Sequence, residues 1–221
     1  MPTFTRYQNT TQQDQSCGAY ALAAALSQLG VAPPLHNITL HSLDANPVHG
    51  YIANPTETLT PTQDQTAFAQ ALYQITGNLS ITLPNATTHG TAHYGAHTTS
   101  MHNAPSALVY AAQQFGLHTV EIHATPAGQH MFENIQCGGV SLWNNEAQIL
   151  NTLHVAPIMS PAYAPPTNTN TVDLVLVDDG EHWVAVTWSG TQAVSYDSDT
   201  GTVQAWLGTK TPTGIWIRLS K

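Results

Sequence analysis

The distribution of apolar positions predicts helices in the first part of the chain. Apolar residues fill positions 19–26, and their alanine and leucine content favours a helix that begins near Cys17 and ends at Gly30. A second helix is predicted over 64–76, since its apolar side chains recur on one face and Gly77 follows as a stop signal. The chain therefore begins with helical segments.

The middle of the chain shows shorter and less regular patterns. Two helices and two strands are predicted there: helices within 105–117 and at 145–154, and strands at 79–83 and 119–123. The stretch 31–61 is rich in Pro, Asn, Thr and His and is predicted to be a loop, apart from an extended patch at 37–40. The stretch 124–140 is also predicted to be irregular.

The last third of the chain alternates apolar and polar residues in the manner of an antiparallel sheet. Strands are predicted at 172–177, 182–188, 193–197, 203–207 and 215–219. Helices first and antiparallel strands last predict an α+β fold with a cleft between the two halves. A chain of 221 residues is long enough for one well-buried domain, so we expect a single domain over 1–221.

Composition narrows the range of partners. Four Lys or Arg residues stand against thirteen Asp or Glu, which gives a formal net charge of −9. Nucleic-acid partners are therefore not expected, whereas a basic substrate would be favoured. No apolar run has transmembrane length and no Sec-type signal peptide is recognisable, so the expected location is the bacterial cytoplasm or, by a leaderless route, another cell.

A cysteine at the start of the first helix is the strongest chemical signal. Ser16 is a plausible N-cap, which places Cys17 in the first turn. Unpaired backbone N–H groups and the positive end of the helix dipole favour an anion there. A thiolate of Cys17 would be a ready nucleophile. Cys17 is expected to be free, and Cys137 is read as a small buried residue, since two cysteines do not make a disulfide framework.

A nucleophile of this kind needs a base and a group that orients the base. His182 begins a predicted strand directly after an Asp-Asp-Gly turn, and Asp197 ends the next strand, 15 positions later. Asp199 is a rival for Asp197, because either carboxylate in an Asp-x-Asp-x-Gly turn could merely hold the turn. The chemical groups therefore follow one another in the order Cys, His, Asp.

This order resembles that of the papain-like cysteine peptidases. Cys17-Gly18 preceded by a Gln-rich stretch, together with the strand that starts at His182, is most similar to the branch of bacteriocin-processing (double-glycine leader) peptidases. The resemblance implies a papain-like fold in which N-terminal helices carrying the nucleophile pack against the C-terminal sheet. It also implies a Cys17, His182 and Asp197 triad. The 165 positions between Cys17 and His182 suggest a family-specific elaboration at about 30–103.

Further roles follow from the same resemblance. An upstream glutamine would donate to the oxyanion, with Gln12 the first choice and Gln13 the second. Trp183 follows the proposed base and could shield it from water, whereas the other tryptophans of the sheet are expected to be packing residues. No cofactor or metal is required, and the substrate is expected to be a protein or peptide.

Several activities are compatible with such a triad. The first hypothesis is a cysteine peptidase, and its signal-free, Lys-poor sequence is compatible with a bacterial effector or toxin. A protein glutamine deamidase or transglutaminase and a cell-wall peptide hydrolase are alternatives on the same fold. A non-catalytic binding module is a third reading, favoured if Cys17 is unreactive and deeply buried. The oligomeric state is unknown.

A cluster of histidines raises a separate question of metal binding. His89, His93, His97 and His102 recur at steps of four, four and five, which on a helix would place three of them on one face. Gly90 and the threonine-rich surroundings oppose a helix, and no cysteine or carboxylate joins the group. A surface loop is therefore the preferred interpretation.

Overall fold

Five α-helices and fourteen strands make up the described part of the chain, which comprises residues 3–44, 46–84, 88–206 and 210–221 of a computed structural model. The helices are α1 (Cys17–Gln28), α2 (Gln65–Thr76), α3 (Pro105–Gln113), α4 (Pro126–Glu133) and α5 (Leu142–Thr152). The strands are β1 (Ile38–Ser42), β2 (Ala53–Leu59), β3 (Gly77–Thr82), β4 (Gly90–Tyr94), β5 (His102–Asn103), β6 (Thr119–Ala124), β7 (Ile135–Cys137), β8 (Val140–Ser141), β9 (Ile158–Met159), β10 (Thr171–Val177), β11 (His182–Trp188), β12 (Ala193–Asp197), β13 (Thr202–Ala205) and β14 (Pro212–Ser220). The mixed α+β class is as predicted.

Helix α1 lies in the core of the protein. Every residue from Cys17 to Leu26 is buried, and the helix packs against α2, α3 and the strands β10 and β11. Small alanine side chains allow this close approach on all sides. The helix ends as predicted: Gly30 has a φ of 70°, and the N–H of Val31 donates to the carbonyl of Leu26. These contacts place α1 directly against the large sheet.

The C-terminal strands form a seven-stranded sheet in the order β13-β12-β11-β10-β14-β6-β9. All pairs are antiparallel except β6 with β9. The predicted strands of the last third are confirmed, although β13 ends at Ala205 and the predicted strand end at Leu207 lies outside the described residues. α1 covers one face of the sheet, while Tyr163 and Trp206 pack against a small apolar cluster on the other face.

One ion pair stands inside this sheet. Asp173 on β10 lies directly across from Arg218 on β14. The guanidinium donates from Nε to Asp173 Oδ1 at 2.9 Å and from Nη2 to Oδ2 at 2.8 Å. The Asp173 side chain is completely buried, so this two-pronged contact is the means by which its charge is balanced.

Both stretches predicted to be irregular contain regular structure. Within 31–61, β1 and β2 pair as an antiparallel two-stranded sheet in which Leu40 and Leu59 are buried. Within 124–140, α4 begins at Pro126, and the Thr125 hydroxyl caps it by accepting from the N–H of Gly128 at 3.1 Å. These elements are short and bury few apolar side chains, so the hydrophobic pattern alone does not reveal them.

A second sheet flanks the helices, with strand order β5-β3-β4-β7-β8. It contains the predicted strand near 79–83, observed as β3, which pairs with β4 and β5. None of the helices in the described ranges is long and apolar enough to cross a membrane.

Candidate active site

Three elements bring the predicted chemical groups to one end of the central strands of the large sheet. Cys17 is the first residue of α1, His182 the first of β11 and Asp197 the last of β12. Since β11 and β12 are antiparallel, the start of one lies beside the end of the other. The turn before His182 requires left-handed backbone, with φ of 53° at Asp178 and 58° at Asp179. Aspartate tolerates this conformation better than most residues.

His182 contacts the Asp197 carboxylate and lies near the Cys17 thiol. His182 Nε2 lies 2.9 Å from Asp197 Oδ1, and both side chains are more than nine-tenths buried. The Cys17 thiol lies close enough to the imidazole to be one of the groups that raise the pKa of His182. The rival carboxylate, Asp199, lies 3.6 Å from His182 Nδ1 and is about half exposed, with 48% of its side chain accessible. Asp197 is therefore the closer partner of the imidazole.

The electrostatics of this group favour a charged imidazole. Burial alone would lower the pKa of His182, but hydrogen bonds to Asp197 and Cys17 and the charges of Cys17 and Asp199 together raise it to about 9. Burial would likewise raise the pKa of Asp197, but the His182 and Lys210 contacts lower it to about 2. An imidazolium–carboxylate pair therefore persists through neutral pH.

This pair predicts a pH dependence of stability. Because the pKa of His182 is raised from 6.5 to about 9 on folding, its contribution is complete below about pH 6.5 and is lost as the pH rises through about 9. We expect the free energy of unfolding, measured with urea, to fall by up to about 3 kcal/mol across this range. In His182→Gln that fall should be absent. An equal fall in both proteins would contradict the assignment.

The thiol borders a narrow cleft. Cys17 is only 3% exposed, yet it lines this cleft together with Trp183 and a largely apolar wall. The wall consists of Leu79, Ile81, Leu83, Pro105, Met131, Phe132 and Leu176, with His102, Asn103, Gly180 and Glu181 completing the lining. Cys17 thus contributes to the lining of a cleft, although little of its side chain is accessible.

Close packing fixes the first turn of α1. A Cβ at Gly18 would lie 2.6 Å from Asn103 Cβ and 3.1 Å from Trp183 Cδ1, so only glycine fits. Asn103 also donates from Nδ2 to the carbonyl of Gln15 at 2.9 Å. The expected side-chain cap by Ser16 is wrong: its hydroxyl donates back to the carbonyl of Gln13 and does not cap the helix.

The two candidate glutamines differ in their surroundings. Gln12 Oε1 accepts from the Ser198 hydroxyl at 2.7 Å, and the backbone N–H of Gln12 donates to the Ser198 carbonyl at 2.8 Å. These bonds tie Gln12 to the residue that follows Asp197. The side chain of Gln13 is exposed. Gln12 is therefore fixed near the end of β12, whereas no such contact holds the Gln13 side chain within the described residues.

The four histidines do not lie together on one helix. His93 and His102 are on strands β4 and β5, and a ring nitrogen of His97 lies 3.1 Å from the Gly77 carbonyl oxygen. His89 is exposed. Within the described ranges, the only group of three potential metal ligands is His182, Asp197 and Asp199, which coincides with the site above.

Cys137 behaves as predicted. Both cysteines are free and buried, and burial raises the pKa of the Cys137 thiol. Lys210 also belongs to the surroundings of the site, since its Nζ lies 3.1 Å from Asp197 Oδ2. The sequence pattern does not predict this contact. The one sequence feature that could have drawn attention to Lys210 is the scarcity of lysine, which occurs in the chain only at positions 210 and 221.

Comparison with known proteins identifies the family. The model of a family described as invasion plasmid antigen J, cysteine protease, matches residues 9–220. Neither the curated proteins nor the solved structures contained a match. The matched segment includes all the site residues described above and nearly the whole chain. The chain therefore belongs to the invasion plasmid antigen J family of cysteine proteases.

Proposed function

We propose that the protein is a cysteine peptidase that uses Cys17, His182 and Asp197 as a catalytic triad on a papain-like scaffold. The observation that carries this proposal is the buried hydrogen bond from His182 to Asp197 beside the Cys17 thiol, which lines a cleft. The residues come from distant parts of the chain. A buried Cys–His–Asp chain with an ionised pair has the geometry of an activated nucleophile.

The mechanism is covalent acyl transfer. The Cys17 sulfur attacks the carbonyl carbon of the scissile amide, and His182 gives a proton to the leaving amine as the C–N bond breaks. His182 then takes a proton from water, which attacks the thioester and releases the acid and the free thiol. Asp197 holds the imidazole throughout, and Trp183, 3% exposed, screens this pair from solvent.

The oxyanion requires hydrogen-bond donors that are fixed before the reaction. We assign this role to the Gln12 side-chain amide and the backbone N–H of Cys17. The hydrogen bond from Ser198 to Gln12 Oε1 supports the assignment, because it holds the amide beside the residue that follows Asp197. The Nε2 group donates to the Asp14 carbonyl at 3.4 Å, a long contact that an oxyanion would have to replace. Gln13, exposed and without such a bond, is the weaker candidate.

The finer family relationship and the domain plan also belong to this proposal. We infer a single papain-like domain over 1–221, related to the bacteriocin-processing branch, with residues 30–103 as the elaboration that selects the substrate. Leu79, Ile81 and His102 support the last point, since they come from this segment and line the cleft beside Cys17. Protein or peptide substrates with apolar residues near the scissile bond would suit the wall.

The biological setting that we propose is a bacterial effector or toxin acting in another cell, with no nucleic-acid partner. The family's description as an invasion plasmid antigen supports the effector role. The net charge of −9 supports the lack of a nucleic-acid partner, because nucleic-acid binders need a basic surface. Expression in a target cell should be toxic for wild type and harmless for Cys17→Ala; equal growth would count against it.

The activity is tested by incubating the protein with a peptide library prepared from a cellular proteome and analysing the products by mass spectrometry. We expect new peptide termini, with water added across the cleaved bond. Deamidation would instead convert a glutamine side chain to an acid without a new terminus, and transglutamination would join two peptides with loss of ammonia. Either of these outcomes, without cleavage, would replace the peptidase proposal.

A further inference from the structure

Lys210 links the two turns that carry the proposed base and its orienting group. Its Nζ lies 2.8 Å from Asp178 Oδ2 and 3.1 Å from Asp197 Oδ2, and its side chain is 21% exposed. Asp178 begins the turn between β10 and β11 that presents His182. Asp197 ends β12. One ammonium group therefore connects the turn before the imidazole to the carboxylate that binds it.

The two oxygens of Asp197 have different partners. Oδ1 accepts from His182 Nε2 at 2.9 Å and from the backbone N–H of Asp199 at 3.0 Å, whereas Oδ2 faces Lys210. Only 6% of the Asp197 side chain is exposed, so water is a poor substitute for any of these partners. Without Lys210, Oδ2 would be a buried carboxylate oxygen without its cation, and rotation of the carboxylate toward solvent would become favourable.

Building on the proposed function, we propose that Lys210 is a positioning residue that fixes the Asp197 carboxylate in the orientation that His182 needs. The charges around Asp197 agree with this role, because Lys210 is one of the contacts that overcome burial and lower the pKa of Asp197 to about 2. The nearby Asp199 carboxylate faces His182 and cannot replace a cation at Oδ2. Lys210 acts through Asp197 and does not touch the reacting atoms.

The cationic contact also bears on the cluster of His182, Asp197 and Asp199 as a metal site. An ammonium at 3.1 Å already balances the Asp197 carboxylate, and it would repel a second cation bound to the same group. The arrangement is therefore better suited to holding a carboxylate in place than to coordinating a metal.

The test compares Lys210→Met, which keeps a flexible apolar stem but removes the charge, with Lys210→Arg, which keeps the charge. One readout is the low-field NMR resonance of the His182 Nε2–H proton, which reports its hydrogen bond to Asp197 and needs no substrate. The other is the kinetics of cleavage of a library peptide.

In Lys210→Met we expect faster solvent exchange of this proton and a kcat lower by about tenfold with KM unchanged, as for a group that acts only in the transition state. Lys210→Arg should keep kcat within about threefold of wild type, because the positive charge remains.

Lys221→Met is the matched control, since Lys221 is the other lysine and its Nζ donates to the Gly30 carbonyl, away from Asp197. It should leave both readouts unchanged. Should Lys210→Met fail to fold, Asp178→Asn removes the second anchor of Lys210 and should shift both readouts in the same direction by a smaller amount. An unchanged resonance in folded Lys210→Met would overturn the positioning role. If wild type cleaves no peptide while the resonance still responds to Lys210→Met, the peptidase proposal fails and the positioning of Asp197 stands.

Discussion

Replacing Cys17 with serine is expected to reduce peptide cleavage by a factor on the order of 10⁴ or more, as for the loss of a nucleophile in other triads. Serine fits the space of the buried cysteine, so α1 and the cleft should remain intact. Its hydroxyl, however, is a far weaker nucleophile than a thiolate beside an imidazolium. The measurement is the rate of appearance of new termini from the same peptide library, at equal concentrations of folded protein.

Iodoacetamide labelling provides a second test of Cys17 as the nucleophile. Because the pKa of His182 is raised to about 9, an imidazolium lies near the Cys17 thiol at neutral pH and favours its reaction with the reagent. We expect labelling of Cys17 at pH 7 to be slower in His182→Ala than in wild type. Cys137→Ser is the matched control, because this second buried cysteine lies on β7 and burial raises its pKa. Full cleavage by Cys17→Ser, or loss of cleavage in Cys137→Ser, would count against Cys17 as the nucleophile.

Removing the partner of Asp173 is expected to have the largest effect on stability. In Arg218→Met the completely buried Asp173 carboxylate would lose both of its guanidinium hydrogen bonds. Breaking a buried ion pair on one side typically costs about 3–5 kcal/mol. Urea unfolding at pH 7 would measure the loss, and the denaturation midpoint of the variant should be lower by a corresponding amount.

Two comparisons show whether Arg218→Met loses stability because the Asp173 carboxylate is left unpaired or because packing is lost. In the double variant Asp173→Leu/Arg218→Met no charge remains, and most of the lost stability should return. Burial raises the pKa of Asp173 even with Arg218 in place, so lowering the pH toward that raised pKa should protonate the carboxyl and reduce the penalty in Arg218→Met. If the double variant is as unstable as the single one, packing rather than charge explains the loss.

Much of the fold could be predicted from the sequence because its main elements carry strong patterns. Helix α1 has an unbroken apolar run and a glycine stop, and Asp64 caps α2 by accepting from the N–H of Ala67 at 2.7 Å. The C-terminal strands alternate clearly. β2 and α4 were not predicted, since they are stabilised by pairing and by a threonine cap rather than by a long apolar face.

The site was predictable in part for a similar reason. Cys17 and His182 stand at element boundaries that local sequence signals mark, a helix start and a tight turn. The contacts of Lys210 with Asp197 and of Ser198 with Gln12 depend on how the chain folds back on itself. The same holds for Asn103, whose amide fixes the backbone before Cys17 across 88 positions of sequence. No local pattern encodes such long-range contacts.

The separation of Cys17 from its partners along the chain has a consequence during synthesis. A ribosome adding about 5–20 residues per second completes helix α1 roughly eight to thirty seconds before it reaches His182. During that interval the proposed nucleophile has no His182 beside it. Since the last strands must pair before Asp197 and Lys210 meet, the proposed triad would be complete only at the end of folding. We therefore expect no hydrolysis by the nascent chain.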